Sequence, residues 1–200
     1  RIAYLIENGI DPFNILSLTF TNKAAQEMKE RISTMVGSEN SRNIWTGTFH
    51  SVFARILRVE HEKIGFPSNF TIYDTQDAKS LIKTIVKEKK LDEKLYKPGI
   101  IYNRISAAKK SLIGPENYIN DSEIKSTDRS TGRPQIGDIY LTYSQRCFRA
   151  SAMDFDDLLF KTNILLKQNP EVLYKYQDKF KYILVDEYQD TNHAQYLIIK

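Results

Sequence analysis

Apolar and polar positions follow two rhythms along this chain, and the change of rhythm marks its organisation. Ile2, Leu5 and Ile6 share one face at helical spacing, and Gly9 suits the position just past a helix end. Asp11-Pro12 predicts a turn. Ile15 to Phe20 is a compact apolar run expected as a buried strand. Thr21-Asn22-Lys23 follows, then a helix from Ala24 to about Met35, with Ala25, Met28 and Ile32 at helical spacing and Gly37 near its stop. Ile44 to Phe49 predicts a second strand, and His50-Ser51 leads into a helix bearing Val52, Phe53, Ile56 and Leu57.

From about Phe66 the rhythm becomes helical alone. Asp74 and Asp77 form a loose capping pattern before Leu81, Ile82, Ile85 and Val86. Pro98 opens a further helix with Ile101, Ile105, Ala108 and Leu112 inside, closed by Gly114-Pro115. Residues 114–138, rich in turn-forming residues and without periodicity, are expected as a long mobile loop. Ile136, Ile139, Tyr140 and Tyr143 resume an amphipathic helix to about Ala150. Met153 to Leu159 opens the next helix, and Pro170 starts a short one to Tyr176. Tyr182 to Val185 is a short apolar run of the kind expected for a strand buried on both faces of a parallel sheet.

Composition refines this picture modestly. Two hundred residues, 41% hydrophobic and 27% charged, are ordinary for a globular protein with a real core. A net charge of +4 permits a nucleic-acid partner without requiring one. Its distribution is uneven: residues 79–110 hold ten Lys/Arg against three Asp/Glu, a local +7 that leaves −3 for the remainder. Lys79, Lys83 and Lys87 recur on one helical face, which is either a solvated surface or a footprint for a nucleic-acid backbone. The lone Cys147 excludes an internal disulfide and reads as a small half-buried hydrophobe. With no apolar run of membrane-spanning length and no secretory signal, the cytoplasm is the expected compartment.

Four stretches suggest chemistry. Asp186-Glu187 closes the last strand, and acids at the carboxyl end of such a strand lie where open α/β sheets bind ligands. Asp186 suits Mg²⁺, a hard cation held through one or two carboxylates and substrate phosphates, while Glu187 is free to orient and deprotonate a water. Two turn acids facing solvent is the plainer alternative. Thr21-Asn22-Lys23, between strand and helix, serves either as an N-cap or as an anion-contacting loop. His50 is either a structural hydrogen-bonder or a donor to a ligand, and Asp154, Asp156 and Asp157 are fully explained as helix-capping acids.

Taken as strings, these stretches are more specific. Asp186-Glu187-Tyr188-Gln189-Asp190-Thr191-Asn192 resembles motif II, the Walker B segment, of the UvrD/PcrA/Rep family of superfamily-one DNA helicases. Leu18-Thr19-Phe20-Thr21-Asn22-Lys23-Ala24-Ala25 resembles its motif Ia, Thr48-Phe49-His50-Ser51 its TFHS motif, and Asp154-Phe155-Asp156-Asp157-Leu158 its DFDDL segment, all in family order. The resemblance runs through nearly the whole chain. It implies an α/β fold: a partial RecA-like parallel-sheet domain of P-loop NTPase type, interrupted by an all-helical inserted subdomain. The expected parts are residues 1–65 and 153–200 for the RecA-like portion and 66–152 for the insertion.

It also implies roles. Asp186 and Glu187 become the metal-holding and water-orienting acids of an ATP site. Phe20 and Phe155 become base-stacking side chains, Thr21, Asn22 and Lys23 backbone contacts, and Thr48, Phe49, His50 and Ser51 DNA-contacting residues, with His50 and Ser51 donating to phosphate. The implied cofactors are ATP and Mg²⁺. The implied activity is 3′-to-5′ translocation on single-stranded DNA with unwinding at ss/ds junctions. No Gly-x-x-x-x-Gly-Lys-Ser/Thr stretch occurs among these residues, and in the family that phosphate loop precedes the helix with which this chain opens. The chain therefore reads as part of a longer protein, itself unable to bind ATP tightly or unwind DNA. Two other classes stay open: a non-catalytic DNA-binding or protein-interaction module, and a metal-dependent nuclease, for which the acids are few.

Overall fold

The computed structural model describes residues 1–200 and shows a mixed α/β protein with a small parallel sheet and many helices. The first helix, α1 (Ile2–Glu7), leads to β1 (Ile15–Thr19), whose five residues are all buried. Thr21 then turns the chain into α2 (Asn22–Val36), its hydroxyl accepting from the Ala24 amide at 3.1 Å. This is the capping role foreseen as one alternative. The helix starts two residues earlier than expected and stops at Gly37, whose φ of +83° is easy only for glycine. A short α3 (Ser38–Asn43) precedes β2 (Trp45–Thr48), which pairs in parallel with β1 from Leu16↔Trp45 to Thr19↔Thr48. Phe49 belongs to α4 (Phe49–Val59), not to the strand, because Thr48 caps that helix by accepting from the Ser51 amide at 3.2 Å.

The stretch expected to be helical alone begins with a strand, β3 (Thr71–Tyr73). It continues through α5 (Thr75–Glu88), with a complete Asp74/Asp77 capping box, and α6 (Pro98–Lys110). Leu112 lies beyond α6 at φ +59°, so it belongs to the turn and not to the helix interior. The expected mobile loop is a correction: residues 114–138 contain α7 (Pro115–Asn120) and α8 (Ser122–Ser130). Pro115 starts the first, and Asp121 caps the second by accepting from the Glu123 and Ile124 amides. The buried Asp128 anchors the pair, taking bonds from Arg104 at 2.6 Å and the Tyr118 hydroxyl at 2.9 Å. Local composition hid this because the stabilising partners are tertiary.

After α9 (Ile136–Arg149), residues Ala152–Asp154 form β4, not the first turn of a helix, and pair in parallel with β3. The two ends of the helical stretch are thus held side by side. Next come α10 (Phe155–Gln168), α11 (Pro170–Lys179), β5 (Tyr182–Val185) and α12 (His193–Ile199).

The sheet order is β2-β1-β5, with β5 parallel to β1 from Ile15↔Tyr182 to Leu18↔Val185. Here the expectation of a strand covered on both faces fails. β5 is an edge strand, and Tyr182 and Ile183 are 37% and 41% exposed. An apolar run marks a strand but does not say which neighbour covers it.

Two main apolar clusters form. One joins Leu16 and Leu18 of the sheet to Phe53, Leu57, Leu158 and Leu165 on α4 and α10. The other gathers Ile82, Ile85, Ile101, Ile105, Ile139 and Tyr140 from α5, α6 and α9. No helix is long and apolar enough to cross a membrane.

Candidate nucleic-acid and nucleotide site

Because β1, β2 and β5 are parallel, their carboxyl ends share one edge of the sheet, and the suspected residues follow those ends. After β1, Phe20 is half-buried, while Thr21, Asn22 and Lys23 are exposed at the start of α2. The Thr21 hydroxyl is engaged as a cap, so what this turn offers a ligand is its backbone N–H groups and the Asn22 and Lys23 side chains. After β2, Thr48 is buried and bound up in its own turn: the Ser51 hydroxyl donates to the Thr48 carbonyl at 2.9 Å. Ser51 remains exposed.

Phe49 is 1% exposed, so it cannot stack on a base. Its ring lies 5.5 Å from Phe20 and 6.1 Å from Phe53, backing the Phe20 ring from the core. His50, the next residue, is half-buried. Its ring meets Phe155 edge-on at 5.7 Å, and Phe155, the first residue of α10, is 44% exposed. The sequence-predicted aromatics thus form two ring pairs through consecutive residues: Phe20 with Phe49, and Phe155 with His50.

Burial holds the His50 pKa below its ordinary 6.5; the Asp156 carboxylate opposes that and the Lys110 ammonium adds to it. The ring is consequently neutral at pH 7, able to donate one N–H but not to act as a fixed positive charge. Lys110 supplies charge nearby, its ammonium 3.8 Å from Asp156.

The acids follow β5. The Asp186 amide continues the ladder by donating to the Leu18 carbonyl at 2.9 Å, and its carboxylate is exposed. Glu187 adopts φ +50°, ψ +46°, a left-handed conformation uncommon for a residue with a side chain. The Gln189 amide donates to it. A cleft of about 430 Å³ beside Asp186 is lined also by Ser17, Ala24, Met28 and Arg31. A larger apolar cavity of about 1010 Å³ lies among α9, α10 and α12, and no predicted site residue lines it.

A lone exposed carboxylate at a strand end fits a cation that takes its other ligands from phosphate and water. It does not fit an all-protein metal cage, and no group of three or more His, Cys, Asp or Glu is arranged as one. Sequence reasoning missed two groups that bear on the site. Lys109 is fully buried between Asp154 and Asp157, 2.7 and 2.9 Å away. Gln189 orients Glu187. The first had a usable signal: Asp154 and Asp157, three apart and flanked by apolar residues, needed a buried partner if their carboxylates turned inward.

Known proteins resemble this chain over its whole length. The UvrD/REP helicase N-terminal domain family matches residues 1–200. The chain is 45% identical to the ATP-dependent DNA helicase PcrA of Staphylococcus aureus (strain Mu50) and 46% identical to that of Bacillus subtilis (strain 168), over 100% of its own length. PcrA of Staphylococcus epidermidis is 45% identical over the same span. The chain covers only 26–27% of the length of these relatives.

Proposed function

Since this chain belongs to the UvrD/REP helicase family, we propose that it forms part of an ATP-driven translocase on single-stranded DNA, moving 3′ to 5′ and separating duplex at ss/ds junctions in the cytoplasm. Residues 1–65 and 153–200 then belong to a RecA-like domain, and 66–152 to a helical subdomain inserted in it. The observation that carries this reading is the shared edge: the acids after β5 and the aromatic residues after β1 and β2 sit at the carboxyl ends of adjacent parallel strands. A change of shape at one strand end is then felt at the next, which is what coupling of nucleotide to DNA requires.

Bound Mg²⁺–ATP would supply a phosphoryl group made susceptible to attack by water. Asp186 would hold the cation through its exposed carboxylate, and Glu187, the next residue, would orient the water and accept its proton. Gln189 fixes the Glu187 carboxylate. On the DNA side, Phe155 and Phe20 offer π-faces to bases of any identity, Phe49 stiffens Phe20 from behind, and neutral His50 donates to a phosphate oxygen with Ser51 beside it. The free N–H groups opening α2 and the Lys23 side chain hold the next phosphate.

Glu187→Gln in the full-length protein tests the division of labour. DNA-stimulated ATP turnover should fall by at least about a hundredfold while single-strand affinity stays within about twofold. Turnover that survives the change would remove Glu187 from the reaction. One other reading has an observation in its favour: no phosphate-loop sequence occurs in these 200 residues. On their own they would then act as a DNA-binding module without turnover, which single-strand binding insensitive to nucleotide would reveal.

A further inference from the structure

A lysine is almost never fully buried unless it is paired, and Lys109 of α6 has a side chain only 1% exposed. Its ammonium lies 2.7 Å from Asp154 Oδ2 and 2.9 Å from Asp157 Oδ1, and 5.1 Å from the centre of the Tyr143 ring. The Tyr143 hydroxyl, on α9, donates to the same Asp154 Oδ2 at 2.7 Å. Asp154 therefore divides its two oxygens. Oδ1 accepts from the Asp157 amide at 2.8 Å and so fixes the start of α10, while Oδ2 is held by α6 and α9. No buried side-chain polar atom in the protein lacks a partner.

Such a network is a poor device for stability alone, because well-packed apolar side chains would serve as well or better. What charge and hydrogen bonds add is a fixed geometry. The residue whose geometry they fix is the next one, Phe155, exposed and in edge contact with His50 at 5.7 Å. The neighbouring Lys110 faces outward beside Asp156 at 3.8 Å, so two consecutive lysines on α6 have different duties.

We propose that Lys109 is a positioning residue for the DNA-facing Phe155, locking α6 and α9 of the helical stretch onto the β4–α10 junction through Asp154. The proposal rests on the reading of Phe155 as a base-stacking side chain. Phe155 touches the strand; Lys109 acts only through it. The helical stretch is then more than a carrier of surface charge, since its placement sets the angle at which a stacking ring meets the DNA.

The test is a pair of double-mutant cycles in the full-length protein, reading single-stranded oligonucleotide affinity by anisotropy at several salt concentrations, with thermal melting alongside. Phe155→Ala should weaken binding by roughly tenfold. Lys109→Met should weaken it by a similar factor with the salt dependence unchanged, because no phosphate contact is lost. Lys110→Met should instead reduce the salt slope. The Lys109→Met/Phe155→Ala double variant should bind within about twofold of the weaker single variant.

Should Lys109→Met not fold, the milder Tyr143→Phe decides, with a smaller loss that likewise vanishes in the Phe155→Ala background. Losses that multiply, a changed salt slope, or folded variants that bind like the wild type would overturn the proposal and leave the stacking reading standing. A Phe155→Ala protein that binds normally would overturn both.

Discussion

His50 shows how a single side chain is tuned by its surroundings. Burial lowers its pKa below the ordinary 6.5, against the pull of Asp156 and with the help of Lys110. A base whose folded pKa is depressed is protonated first in the unfolded chain, so its neutral form supports the fold fully above about pH 6.5. That support is lost as the pH falls through the unfolded and then the folded value. Melting temperatures taken from about pH 7.5 down to about pH 5 should therefore decline, and His50→Gln should flatten the part of the decline that belongs to this ring. A protein carrying His50→Gln with an unaltered pH profile would show that the ring is solvated. Burial also pushes the Cys147 thiol up to about 12, which makes it an inert core group, as its isolation in the sequence suggested.

At the scale of elements, the turn between β2 and α4 is closely packed at Gly47. A Cβ at Gly47 would lie 2.6 Å from the Ser51 hydroxyl and 3.2 Å from a Val52 methyl. Gly47→Ala should thus lower the denaturation midpoint, at a cost of about 1–3 kcal/mol with unchanged m-value, and adding Ser51→Ala should recover part of it. Full stability in Gly47→Ala alone would mean the turn is looser than described.

Elements such as this one are legible in the amino-acid pattern. The strand and the helix at residues 45–59 follow from local signals, though not the Thr48 cap that divides them, and so do α2, α5 and α9. Elements whose partners are distant are not legible in that way. The pairing of β3 with β4 joins Thr71 to Ala152 across the whole helical stretch, and three residues are too few for periodicity to register. α8 depends on Asp128, whose partners Arg104 and Tyr118 come from other helices. The exposed face of β5 depends on sheet order, which no local pattern encodes.

Across the whole molecule, the candidate site gathers residues from positions 20 to 187 at one edge, and sequence order alone does not bring them together. Topology does, by running β1, β2 and β5 parallel and by returning β4 beside β3 so that Phe155 reaches His50. The concentrated basicity of residues 79–110 also looks different in three dimensions. Lys109 is buried, Arg104 is paired with Asp128 and Lys89 with Asp138, each at 2.6 Å, whereas Lys83, Lys87, Lys90, Lys94 and Lys97 stay exposed. The local charge of +7 thus mixes a structural lysine with surface ones.

The central claim, that an unpaired DNA strand lies across the Phe20, His50 and Phe155 side chains, is met most directly by photo-crosslinking. The full-length protein would be irradiated with a halogenated single-stranded oligonucleotide, and the adducts in this region mapped by mass spectrometry. Adducts on Phe20, His50 or Phe155, lost when unlabelled single strand competes, are the predicted result. Adducts confined to other surfaces, such as the lysine face of α5, with these three residues unmodified, would contradict it.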